Sequence, residues 1–161
     1  MRSIILAAAL WSCGKDGAPA TKAKPSAVAP AGTAGPAGAK KPCEYVARSD
    51  AEAALGMPLP GTTETEVTGE CIYHTPEFYG VTVAIGTWEG VLLSANAGGA
   101  SHPPLAVAGI GDEAVHNGSH LYVRKGERGL MVSLNGPTVD ADEGKAVAQA
   151  MVLARKIVPN L

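Results

Sequence analysis

From residue 43 onward the apolar positions change period several times, and each change marks an element. Ala51, Ala54 and Leu55 recur at helical spacing. Ser49 and Glu52 form a capping-box pattern ahead of them, and Gly56 followed by Pro58 supplies a stop, so a short helix is predicted. Val67, Cys71 and Tyr73 then fall on alternate positions, as do Val81, Val83 and Ile85. With the turn Thr75–Gly80 between them, they predict an antiparallel hairpin. Glu89–Ala97, with Leu92 and Leu93, reads as a weak helix or an irregular segment, and the Gly- and Pro-rich stretch Ala97–Pro104 as a loop. Ala114, Val115 and His116 lead into Asn117-Gly118, a favoured two-residue hairpin turn. Leu121 and Val123 alternate after it, Lys125–Gly129 is a second turn, and Leu130, Val132 and Leu134 alternate again. The last element is a helix capped by Asp140, with Glu143 three residues on. Ala146, Ala150, Leu153 and Ile157 form its apolar face, with Val147, Met151 and Ala154 beside them. Arg155 and Lys156 suit its C-terminal end, and Pro159 stops it. The sum is an α+β fold: an antiparallel sheet of about five strands with helices packed on one face.

The first 42 residues follow another pattern. Met1-Arg2-Ser3 is short and positive, and Ile4–Leu10 is apolar but too short to span a bilayer of ~30 Å. The run ends in Leu10-Trp11-Ser12-Cys13, which resembles the bacterial lipobox: an aliphatic residue three before the cysteine and a small one just before it. Leu10 and Ser12 fit; Trp11 is bulkier than the middle position usually holds. The expectation is a lipoprotein signal peptide over 1–12 and a lipidated Cys13. Each buried CH₂ of its acyl chains contributes ~0.8 kcal/mol to anchoring. Gly14, rather than Asp, follows the cysteine, which favours the outer membrane where one exists. Ala, Pro, Gly and Lys dominate up to residue 42, with no aromatic after Cys13. Such a segment buries too little apolar area to offset chain entropy, so 13–42 reads as the lipidated cysteine and a disordered linker. Residues 43–161 form the extracytoplasmic domain.

Charge sharpens this division. Residues 1–42 hold six bases and one acid, and residues 43–161 hold seven bases and 14 acids. A basic tether therefore precedes an acidic domain. The acidic domain argues against nucleic acid, whose phosphates need a basic surface. Within the domain Cys43 and Cys71 are the only cysteines. In an exported chain such a pair reads as a disulfide contributing roughly 3 kcal/mol. Two cysteines alone do not complete a tetrahedral metal shell.

Several short motifs recur in a familiar order: Cys43 before an Ala-rich helix ending in Leu55-Gly56, then Gly69-Glu70-Cys71-Ile72-Tyr73. Gly109-Ile110-Gly111-Asp112-Glu113-Ala114 and Leu121-Tyr122-Val123-Arg124-Lys125-Gly126 follow. Over most of 43–157 the chain resembles a group of uncharacterised, Cys-anchored bacterial lipoproteins with a small sensor- or binding-like domain. The resemblance implies the disulfide, the α+β fold and an extracytoplasmic location. It implies no reaction.

The remaining candidates for chemistry are sparse. His116 and His120 flank the Asn117-Gly118 turn, and if the hairpin brings them together with Asp112 or Glu113 they form an N/O set that zinc or copper accepts. Against this, their spacing matches no metal motif. His74 and His102 read as surface residues. Asp112-Glu113 offers acid/base groups, but the preceding Gly-Ile-Gly is better explained by a tight turn. Arg124, Lys125 and Arg128 cluster at one turn, where an anionic ligand or plain solvation would suit them. No nucleophile elbow, phosphate loop or zinc-protease helix motif occurs. The leading expectation is a membrane-anchored, non-enzymatic lipoprotein with a binding or structural role in the cell envelope, on the extracytoplasmic face of the cell membrane or outer membrane. Its partners are the membrane, through the lipid on Cys13, and an envelope protein or cell-wall polymer; no cofactor is expected. The alternatives are a metal- or small-ligand-binding periplasmic domain and a hydrolase whose site residues are scattered.

Overall fold

The structure, a computed structural model, describes residues 40–65, 68–97, 103–137 and 142–161. The expected signal segment, Cys13, the linker through residue 39, Val67, His102 and Asp140 lie outside the described residues.

The strands are β1 (Gly61–Thr65), β2 (Glu70–His74), β3 (Gly80–Thr87), β4 (Leu105–Ala106), β5 (Glu113–Asn117), β6 (His120–Lys125) and β7 (Arg128–Asn135). The described helices are α1 (Arg48–Leu55), α2 (Trp88–Ala97) and α3 (Glu143–Ile157). All strand pairs are antiparallel, and they form one open sheet in the order β1-β2-β3-β7-β6-β5-β4. The class is α+β, as the periodicity predicts, but the sheet has seven strands rather than about five. The two extra strands are β1 and the two-residue β4, both at edges. Two meanders, β1–β3 and β4–β7, meet where β3 pairs with β7.

Alternation sends Val81, Val83, Leu121, Val123, Leu130, Val132 and Leu134 to one face, all fully buried. Ala51 and Leu55 of α1 and Ala146, Ala150, Leu153 and Ile157 of α3 cover them. Each such aliphatic side chain contributes about 1.5–3 kcal/mol through burial. The alanines keep α3 close to the strands.

The expectation that all helices share one face is corrected: α2 lies on the other. There Val91 meets Tyr122, with Trp88, Leu92, Val115 and Met131 around them. Gly129 makes this possible, because a Cβ there would stand 2.9 Å from Val91 Cβ and 3.0 Å from Trp88 Cα. Leu121-Tyr122-Val123 is continuously apolar because β6 is covered on both faces.

Local chemistry departs from the sequence pattern at four points. Ala47, not Ser49, is the N-cap of α1; Ser49 sits within the helix, and Glu52 instead accepts the Leu59 N–H at 3.0 Å. Gly56 closes α1 at φ +74°, as predicted. Asp142, not Asp140, caps α3, its Oδ1 accepting the Lys145 N–H at 3.0 Å. Asn117 pairs with His120, so the turn is Gly118-Ser119, one residue later than expected, with Gly118 at φ +58°. Lys125 pairs with Arg128, so the second turn is only Gly126-Glu127, and Arg128 and Gly129 belong to β7.

The first described element is a 3₁₀ turn at Pro42–Glu44, in which Pro42 is buried. Cys43 and Cys71 are joined by a disulfide, with their Cα atoms 5.0 Å apart. No described helix is long and apolar enough to cross a membrane.

Candidate functional site

Three anchors fix the point where the chain joins the sheet. The disulfide ties Cys43 to the start of β2, whose Cys71 faces the covered side with Tyr73. The Cys43 N–H donates to Glu64 Oε1 at 2.9 Å. The Tyr73 hydroxyl donates to the Val46 carbonyl at 3.0 Å, and burial raises that phenol above its ordinary range. The Arg48 guanidinium then closes the α1–β1 connection, donating to the Leu59 and Pro60 carbonyls at 2.7 Å each. These contacts fasten Cys43 to the covered side of the sheet.

That opposite face carries a lateral row fixed by register. Thr63 pairs with Ile72, Ile72 with Thr82, Thr82 with Ser133, Ser133 with His120 and His120 with Asn117. Paired residues share a face, so this is one band across six strands. None of its side chains carries a formal negative or fixed positive charge. At the β1–β3 end the row floors a groove of about 250 Å³, bounded by His74, Gly80, Asn135 and Phe78. His74 Nδ1 lies 3.2 Å from the Thr75 carbonyl and Nε2 3.3 Å from Thr63 Oγ1, which together fix the ring. The ring lies over Gly61, where a Cβ would collide with it.

Phe78 is the unusual residue of this rim. Its side chain is 79% exposed, and its φ of +65° makes it the one non-glycine residue at positive φ among those described. For a bulky side chain that conformation costs about 1–3 kcal/mol. The turn enforces it: the Phe78 N–H donates to the Thr75 carbonyl at 3.1 Å and the Thr75 N–H to the Tyr79 carbonyl at 2.8 Å. Asn135 Nδ2 holds the Phe78 carbonyl at 3.2 Å. The sequence marks a turn here but gives no sign that an aromatic occupies its left-handed position.

The residues singled out from sequence do not converge. His116 pairs with Leu121 and shares the covered face with Ala114, its Nδ1 3.5 Å from Glu143 Oε1. His120 points to the other face and stacks on Tyr122 with centroids 6.2 Å apart. A two-residue turn always sends positions four apart to opposite faces, so the hairpin cannot bring this pair together. Burial lowers the His120 pKa, partly offset by a hydrogen bond to the Asn117 backbone. Among the described residues no group of three or more His, Cys, Asp or Glu is placed to hold a metal.

The acids and bases near Gly109–Asp112 engage one another and the backbone. Gly111 sits at φ +62° against the Arg124 carbonyl, with which a Cβ would collide. Asp112 accepts the Gly126 N–H at 2.6 Å and pairs with Lys125 at 3.4 Å. That backbone hydrogen bond, more than Lys125, holds its carboxyl below the ordinary range. Arg124 pairs with Glu113 at 3.2 Å. Arg128 lies over the Tyr45 ring at 5.6 Å and donates to the Tyr45 hydroxyl at 3.1 Å. The three bases expected as a cluster therefore each engage a separate partner.

No protein-family model matches the chain, and no curated protein or solved structure does.

Proposed function

We propose that the chain is a lipid-anchored bacterial lipoprotein whose domain serves a non-enzymatic binding role on the extracytoplasmic side of the cell membrane or outer membrane. The observation that carries this reading is the Cys43–Cys71 disulfide. Such bonds persist in oxidising compartments and are rare in a reducing cytosol. Its position adds support, since it fastens the sheet where the basic, Pro-rich segment joins it. Lipid on Cys13 would supply the membrane contact, and residues 14–42 the reach.

Growth with labelled palmitate tests the anchor. The protein is expected to take up label and to fractionate with membranes, and Cys13→Ala to lose label and become soluble. Unlabelled wild type recovered from the cytosol with both domain thiols free would overturn the reading.

A further inference from the structure

We infer that the groove between Phe78 and the Thr63–Ile72–Thr82 end of the row binds a neutral glycan strand. This rests on the extracytoplasmic binding role proposed above and names the class of ligand.

The chemistry of the groove selects the ligand. A pyranose ring presents a C–H face that packs on aromatic and aliphatic surface, and hydroxyls at its edge that both donate and accept. Phe78 and Ile72 offer the apolar surface, one at the rim and one on the floor. The hydroxyls of Thr63 and Thr82 and the amide of Asn135, all lining the same groove, offer groups of the second kind. The floor has no formal charge, while residues 43–161 carry 14 acids against seven bases. An anionic ligand would find no Lys or Arg in the groove, and a cationic one no carboxylate. A neutral polyol meets neither obstacle.

Geometry points the same way. Three adjacent strands place Thr63, Ile72 and Thr82 across roughly 10 Å at a pitch of about 4.8 Å. That pitch is close to the repeat of one pyranose ring in an extended chain, so successive rings would meet successive strands. The strain at Phe78 is consistent with this use. The turn holds a bulky residue where glycine is favoured, with the ring 79% exposed, so packing does not account for the choice. Strained positions of this kind cluster at ligand clamps.

The test uses the full-length protein in detergent micelles, with amide chemical shifts followed as chitohexaose or cellohexaose is added to about 10 mM, a range that reports millimolar affinity. Shifts are expected at Ile72, Phe78, Thr82 and Asn135, with binding at least tenfold weaker in Phe78→Gly and in Thr82→Val. Phe78→Gly relieves the left-handed strain and Thr82→Val keeps a β-branched side chain, so neither should disturb folding. A merely structural Phe78 would leave sugar binding unchanged in the glycine variant, and that result would overturn the proposal. Absence of shifts with both sugars, or shifts produced only by phosphatidylglycerol vesicles or by a peptide, would overturn it as well. The palmitate experiment is independent, so a labelled protein that ignores both sugars would sink the glycan and leave the anchor standing.

Discussion

On one face of the sheet, Leu121, Val123, Leu130, Val132 and Leu134 disappear beneath α1 and α3; on the other, Thr63, Ile72, Thr82 and Ser133 keep contact with solvent beside an exposed Phe78. Of the strands named, β7 supplies both sets, Ser133 falling one residue out of phase between Val132 and Leu134. The covered face is apolar, closely packed and tied to Cys43 by a disulfide. The open half of the other face carries the uncharged Thr63–Ile72–Thr82–Ser133 row, and it holds the one strained non-glycine residue among those described. Stability is thereby concentrated on one side, and the other is free to carry side chains chosen for what they touch outside the protein.

The contrast can be broken most severely from the covered face. Leu130→Ala should destabilise the fold by about 3 to 4 kcal/mol, seen as a lower urea midpoint, whereas Thr82→Ala should stay within about 0.5 kcal/mol. Equal costs would mean that the open face is part of the core. Replacing both Cys43 and Cys71 by Ala should cost about 3 kcal/mol by enlarging the unfolded ensemble, measured by thermal or urea unfolding. Phe78→Gly should raise stability by about 1 kcal/mol, because glycine adopts φ +65° without the Cβ clash. A loss instead would show that the exposed ring has a packing role.

The smallest effects are in pH dependence. His120 has its pKa lowered mainly by burial, so its neutral form favours the fold. Its contribution is complete above the ordinary histidine value of about 6.5 and is lost as pH falls from there through the lowered folded value. Asp112 is lowered by its hydrogen bond from Gly126, so its contribution is present above about 3.9 and is lost as pH falls through the still lower folded value. Urea midpoints measured against pH should lose the upper step in His120→Gln and the lower one in Asp112→Asn.

The covered face was legible because its signal is local. Leu130, Val132 and Leu134 alternate within one short stretch, and Ala146, Ala150, Leu153 and Ile157 repeat within one helix. β1 was missed because Gly-Thr-Thr-Glu-Thr, at an exposed edge, has no apolar alternation to read. β4 is too short to show a period. The cap of α3 was misplaced because Asp140 and Asp142 both precede Glu143, and the helix start decides between them. The Ser49–Glu52 pattern failed because Glu52 is recruited by Leu59, across a turn that the pattern does not see. The open-face row depends on pairing between strands distant in sequence, so Thr63, Thr82 and Ser133 look unrelated until the register is known. The divergence of His116 and His120, by contrast, follows from counting residues across an even turn and was available from the outset.

The measurement closest to the centre of these proposals is peptide mapping by mass spectrometry of protein taken from cells quenched in acid and thiol-blocked. The expected result is an N-terminal peptide that begins at an acylated Cys13, together with a Cys43–Cys71 cross-linked pair that resists alkylation. An unacylated peptide running through Cys13 from the residues before it, with Cys43 and Cys71 both alkylated, would contradict the anchor and the oxidising compartment at once.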